Sequence, residues 1–329
     1  MTALADSKPV SVEAKPGLAT ALLSVFSSGP YSPKLKTVNK PWFNSFPPKP
    51  LNIVYPEEKG TYEVILFFHG TALSNTSYSN LLDHLASHGY IVVAPQLYDF
   101  LPPKGNGEVN DAANVLNWLS TGLQSELPEN VEANLNYVAL MGHSRGGLIA
   151  FGLALGYATN PPVSIKISAL VGIDPVAGLA SVHSELEPPI LSHDSFEFSI
   201  PVTVIGTGLG GVTKCMQPCA PENKNHEQFF KRCTYSDHAH FDAKDYGHMD
   251  ILDDNPQGPK NWAISKFLCT NGKKPRDPMR RCVAGIAAAF LKAYFDGDCE
   301  DFRTMLKDPS LAPIELDEVE FIPAARAKA

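Results

Sequence analysis

The run Gly142-His143-Ser144-Arg145-Gly146 sets a serine between two glycines in the pattern G-x-S-x-G. A serine hydroxyl attacks an ester carbonyl only when a neighbouring imidazole takes its proton, and that imidazole needs a carboxylate to hold its tautomer. The setting gives the pattern its meaning, because it follows the apolar run YVALM and precedes the helical run GLIAFGLALGY. The glycines permit a sharp turn that lifts the hydroxyl clear of a sheet, and the positive end of the helix points at the site.

The base must come from further along the chain. His69 and His143 belong to the motifs, and His84 and His88 fall in or near a helix before the serine, which leaves His183, His193, His226, His238, His240 and His248. His248, in DYGHMDILDD, is the expected base: Gly247 allows a tight loop, and the segment leads toward the last helices. The plainer alternative is a loop histidine packed on Tyr246. For the acid, Asp174 in SALVGIDPVAG ends an apolar run, whereas the next such run, PVTVIGTGLGG, ends with no acid at all. A turn-forming Asp before Pro175 is its plainer reading, and Asp194 in LSHDSF is the competitor. Backbone donors for an oxyanion are expected from Arg145 and from Thr71 or Ala72, since VILFF runs directly into His69-Gly70-Thr71-Ala72.

These groups need a scaffold that delivers them to one edge. Short unbroken apolar runs at Val64 to Phe68, Tyr90 to Ala94, Tyr137 to Met141, Ile167 to Ile173 and Val202 to Ile205 read as strands buried on both faces. Between them Tyr78 to Ser87, Asp111 to Gly122 and Gly146 to Tyr157 have helical spacing, and Arg281 to Phe295 makes a strong C-terminal helix. Strand and helix alternate, so the fold class is α/β with a mostly parallel sheet, the α/β-hydrolase fold. Pro47 to Pro56 suits an edge strand, and Gly206 to Asp245 reads as a long irregular loop or cap. No linker, repeat or charge block divides the chain, so one catalytic domain is expected over 46–322, with a poorly structured segment at 1–45 and a tail at 323–329.

Composition narrows the partners. A net charge of -8 with no basic stripe argues against nucleic acid, and no apolar run is long enough to span a bilayer. Peripheral contact with a membrane stays open. The first residues lack the basic and apolar regions of a secretory signal. All six cysteines lie in the last third, and free or buried thiols are the plainer reading. A bridge among Cys215, Cys219 and Cys233, or between Cys269 and Cys282, is the sharper one. Phe67, Phe68, Leu73, Leu97, Tyr98 and Leu148 flank the site motifs and are candidates to line a pocket for a long apolar chain.

With Ser144, Asp174 and His248 in place, the wording around them resembles the plant chlorophyllases. The segments are VILFFHGTALSN, HGYIVVAPQLY, MGHSRGG, GIDPVAG, PVTVIGTGLGG, DYGHMDILDD and DPMRRCVAGIAAAFL, and the resemblance covers about Leu51 to Ile322. The resemblance implies hydrolysis of the ester that joins the propionate of chlorophyll to phytol, a Ser-Asp-His triad at these positions, a small-molecule substrate and no cofactor. It also implies a chloroplast location, with compartments outside the plastid left open.

Rival readings are a general lipase or carboxylesterase and a ligand-binding homologue without activity. A catalytic metal is a third, because His238-Ala239-His240-Phe241-Asp242 begins like H-x-H-x-D-H; Ala243 stands where the last ligand is needed, so no metal is expected to take part.

Overall fold

The computed structural model describes residues 10–11, 23–39, 47–179, 186–214 and 217–324. The apolar runs that read as strands form the middle of a ten-stranded sheet. Its strands are β1 (Val10–Ser11), β2 (Pro33–Val38), β3 (Leu51–Pro56), β4 (Gly60–Phe68), β5 (Tyr90–Pro95), β6 (Val131–His143), β7 (Ile167–Ile173), β8 (Val202–Thr207), β9 (His238–Ala243) and β10 (Leu316–Ile322). Their order is β1-β10-β9-β8-β7-β6-β4-β5-β3-β2. From β5 to β9 every pairing is parallel, and the outer strands on both sides are antiparallel.

Alternation along the strands builds two cores. Ile65, Phe67, Met141 and Val171 face one way, against α1 (Ser79–Ser87), α7 (Arg276–Phe295) and α8 (Glu300–Lys307). Val64, Leu66, Phe68, Leu140 and Leu170 face the other way, against α2 (Gly107–Trp118), the single turn α3 (Gln124–Glu126) behind it, and α4 (Arg145–Ala154). The short helices α5 (His226–Phe230) and α6 (Pro259–Ala263) sit in the later connections. Parallel strands with helices on both faces bring every carboxyl-terminal strand end to one edge.

Four expectations change here. The folded body begins upstream of residue 46: Val25 and Phe26 are buried against the α7 core, and β2 pairs along the whole of β3. The Pro-rich run is therefore β3, second from the edge, and the exposed, Lys-bearing β2 covers it. Gly206 to Asp245 is no mere loop, for it holds α5 and β9, an internal strand. Its alternation of His and Asp with apolar residues disguised it, although His238 and His240 are both buried. The disulfide joins Cys219 to Cys269, a pairing the spacing did not suggest because 50 residues separate them. Cys233, Cys282 and Cys299 are free and buried, and Cys215 lies outside the described residues.

Candidate active site

Ser144 is the hinge between β6 and α4 and adopts φ 57°. The turn is too tight for side chains on its flanks: a Cβ on Gly142 would stand 2.2 Å from the Gly146 carbonyl oxygen, and one on Gly146 2.1 Å from that of Phe68. Among the described residues the only other non-glycine positions with positive φ are Ala72 and Asp174. All three lie at the carboxyl edge of the sheet, so backbone strain is concentrated where the chemistry is expected.

The structure brings Ser144, Asp174 and His248 together. His248 Nδ1 donates to Asp174 Oδ2 at 2.7 Å, which leaves Nε2 as the acceptor facing Ser144 Oγ at 2.8 Å. The ring is 3% exposed and Asp174 fully buried, so water does not compete for either bond. Burial alone would raise the Asp174 carboxyl, but hydrogen bonds from His248 and Thr207 and the favourable field of the neighbouring imidazoles hold it below the ordinary carboxylate value. It therefore stays an acceptor. Thr207 Oγ1 donates to the same Oδ2 at 2.5 Å. Thr207 stands at the end of β8, where the strand carries no acid, and sequence reasoning overlooked it because it sought a carboxylate there. Gly210 completes this corner, since a Cβ on it would come within 2.7 Å of Thr207 Oγ1 and 3.0 Å of Asp174 Oδ2. Asp194 and His193 are exposed on the surface.

A second layer of buried groups fixes these parts. His143 Nε2 donates to the His248 carbonyl oxygen at 2.9 Å. Its Nδ1 accepts from the Tyr78 hydroxyl at 2.9 Å, and that hydroxyl accepts from the Gly70 amide, also at 2.9 Å. Burial drives the His143 ring down to about 3 and the Tyr78 hydroxyl upward, so the imidazole is neutral and the phenol keeps its proton. His69 is neutral for the same reason; its Nδ1 donates to the Gly70 carbonyl and its Nε2 accepts from the Leu97 amide. Thus the loop at 69–72 is tied on one side to β5 and on the other to the backbone of His248.

Thr71, Ala72 and Arg145 border the same cavity as Ser144. Arg145 holds the first helical position of α4, whose amide has no acceptor within its own helix. Its side chain turns inward: Nε donates to Glu108 Oε2 at 2.6 Å, and both partners are almost fully buried. Burial raises the Glu108 carboxyl against the pull of Arg145, and Tyr98 stacks edge-on over His69 beside them. Glu108 carried no signal in the sequence, because it precedes the helical run read from Asp111, and only the structure places it in the first turn of α2.

The cavity encloses about 300 Å³. Its walls are Leu73, Val176, Leu179, Leu186, Ile264 and Leu268, with the Cys219 side of the disulfide. Of the expected lining only Leu73 is there: Phe67, Phe68, Leu97 and Leu148 are core side chains, and Tyr98 lies behind the 69–72 loop. Strand alternation and helix packing point them into the sheet layers, while the walls come from the segments that follow the strands and from the short helical stretch Ile264–Leu268 that continues α6. Of these walls Leu179 and Leu268 also reach the surface, and outside the cavity Phe100, Leu101, Trp262 and Phe267 are exposed. Lys260 links part of this rim, placing its ammonium over the Phe100 ring, and Trp262 packs edge-on against Phe267.

A mostly parallel sheet with a strained serine turn, and with an imidazole and a carboxylate delivered to the same edge by later strands, defines an α/β-hydrolase. The family model for chlorophyllase matches residues 21–323. Chlorophyllase-1, chloroplastic, of Citrus unshiu is 60% identical over 99% of this chain and 97% of its own. Chlorophyllase-1 of Arabidopsis thaliana is 50% identical over 82% and 84%, and chlorophyllase-2 of the same plant 43% identical over 84% and 87%. The chain belongs to the chlorophyllase family.

Proposed function

We propose that this chain hydrolyses the phytyl ester of chlorophyll, releasing chlorophyllide and phytol, with Ser144 as nucleophile, His248 as general base and acid, and Asp174 as its orienting carboxylate. The observation that carries the reading is the unbroken bond series Asp174–His248–Ser144 opening into an apolar cavity, in a member of the chlorophyllase family. Ser144 Oγ attacks the propionate carbonyl carbon as its proton passes to His248 Nε2. The carbonyl oxygen takes the negative charge against the amides of Arg145 and of Thr71 or Ala72. Collapse breaks the bond to the phytyl oxygen, which leaves with the proton from His248, and the chlorophyllide acyl group remains on Ser144. Water, deprotonated by the same imidazole, then releases the acid and restores the serine. No step calls for a cofactor.

The substrate is larger than the cavity, whose volume is at the low end for small-molecule sites. The exposed rim offers the remaining surface: each methylene it removes from water contributes about 0.8 kcal/mol. The same rim, with Lys260 among its aromatic rings, suits peripheral contact with a lipid surface. Among the described residues no helix is long and apolar enough to cross a membrane. The Citrus relatives are named chloroplastic, and we place this chain in the same compartment.

The test is chromatography of chlorophyll, a triacylglycerol and a short nitrophenyl ester after incubation at matched concentration and detergent. Chlorophyllide and phytol should form faster than fatty acid. Ser144→Ala should leave less than about one part in a thousand of the rate, because removal of a triad serine costs on the order of 10⁶ in kcat and leaves only the oxyanion donors and binding. Consumption of triacylglycerol with no chlorophyllide would replace this reading by that of a general lipase.

A further inference from the structure

We propose that the face of β9 and β10 carries a binding site for a zinc-like divalent cation, formed by His240, Glu318 and Glu320 and separate from the reacting atoms. One potential ligand atom from each residue lies within 4.8 Å of the others. The register explains part of the grouping: His240 is paired with Glu320 across the two strands, and Glu318 stands in the irregularity between Leu316 and Val319, where its carboxylate joins the other two. Asp242 follows His240 by two on β9 and adds a third carboxylate to that face.

The histidine is set up as a ligand. His240 is 1% exposed, and its Nε2 lies 2.8 Å from Nδ1 of His226. Its Nδ1 is buried and meets no hydrogen-bond partner among the described residues. When Nε2–H donates to His226, the lone pair is left on Nδ1, and donation from the distal nitrogen is the usual brace for a metal-bound imidazole. Phe230 stacks on the same ring at 5.0 Å and limits its rotation. The cavity here is bordered by His238, His240, Glu318 and Glu320, so an ion has a way in from solvent.

Charge points the same way. Nearby lysines are engaged elsewhere, Lys244 with Glu315 and Asp317 and Lys231 with Glu227. Among the described residues Asp242, Glu318 and Glu320 take part in no ion pair, which leaves a concentration of negative charge beside a neutral imidazole. Tetrahedral zinc with bonds near 2.1 Å needs its ligand atoms about 3.4 Å apart, so a closure of roughly 1.4 Å is required, within reach of rotamer changes in two glutamates at the surface. Mixed imidazole and carboxylate donors favour a transition cation over calcium or magnesium, which take oxygen alone. The site would clamp β10 to β9, and β8 lies between it and β7, whose end carries Asp174. This is the H-x-H-x-D segment in a structural setting, completed from β10 instead of by a further histidine.

The experiment is calorimetric titration of the chelator-stripped protein with Zn2+, and with Co2+ as a spectroscopic probe. The expected result is one site per chain, visible absorption from a four-coordinate cobalt ion, and a rise in Tm with Zn2+. Glu318→Gln and Glu320→Gln should each weaken binding by roughly tenfold or more and diminish the thermal gain, while ester hydrolysis stays at the wild-type rate. His240→Ala should abolish binding; if that variant does not fold, the two glutamate variants decide. No binding at millimolar Zn2+, or binding indifferent to both glutamate substitutions, would overturn the proposal.

Discussion

Tyr78→Phe should impair turnover although Tyr78 touches neither the proposed substrate site nor the triad side chains. Its hydroxyl is fully buried and makes two bonds, accepting from the Gly70 amide and donating to His143 Nδ1. Phenylalanine keeps the ring contact with Phe67 but strands a donor and an acceptor away from water. Each stranded group costs about 1–3 kcal/mol, so the fold should lose about 2–4 kcal/mol after partial relaxation. For a chain of this size that lowers Tm by roughly 4–8 °C. A purely structural defect would stop there. Gly70, however, leads directly into Thr71 and Ala72, and His143 holds the backbone of His248. Slack in both should displace the oxyanion donors and the base together, and misplacement by as little as 1 Å can cost on the order of a hundredfold. We therefore expect kcat to fall roughly 10- to 100-fold with KM nearly unchanged, since the apolar walls are untouched. The assay is steady-state kinetics well below Tm, beside urea unfolding. His143→Phe should act through the same link, so the double variant should lose much less than the sum of the two. A kcat within twofold of wild type alongside the expected drop in Tm would refute the reasoning.

Asp174→Asn should cut kcat by about 10⁴, because an amide holds His248 in the wrong tautomer; activity retained there but lost in Asp194→Asn would move the acid elsewhere. The folded carboxyl of Asp174 lies below its ordinary value, so its contribution to stability is complete above that value and disappears as the pH falls through the folded one. Urea titrations from pH 7 to 3 should then show a shallower acid loss in Asp174→Asn than in wild type. Trp262→Ser with Phe267→Ser should reduce co-sedimentation with chloroplast-lipid vesicles while leaving hydrolysis of a soluble nitrophenyl ester intact; equal sedimentation would remove the rim from membrane contact. Reducing the Cys219–Cys269 bridge, which closes a loop of 50 residues, should lower stability by about 4 kcal/mol, read by thermal unfolding with and without dithiothreitol.

Much of this was legible in the residues. The central strands are continuous apolar runs, and a strand that must be buried on both faces can hardly be written otherwise, so β4 to β8 stood out. Ser144, Asp174 and His248 each follow a recognisable local event: a glycine-flanked turn, an acid at a strand end, a glycine before a loop histidine. The hidden parts share another property. Tyr78, Glu108 and Thr207 act through partners 65, 37 and 33 positions away, and nothing local distinguishes them from ordinary core or helix residues. The cavity walls were hidden for a related reason: Val176 sits in a connection, and Ile264 and Leu268 in a single helical stretch too short to show a period. β9 was lost because, opposite the apolar face of Ala239, Phe241 and Ala243, its other buried face is written in histidine.

The corner shared by Asp174, Thr207 and Gly210 bears on ancestry. Hydrolases that carry the acid one strand later would place it near Thr207, whose oxygen already contacts the very oxygen of Asp174 that His248 uses. Exchanging Thr207 for an acid first would press two carboxylates together in a dry pocket, and discarding Asp174 first would leave the imidazole unsupported. Gly210 tightens the barrier, since it grants clearance to the present pair and to no bulkier turn. Moving the acid by one strand is therefore a coupled change at this corner, and we expect Thr207→Asp and Asp174→Asn each to lower kcat when made alone.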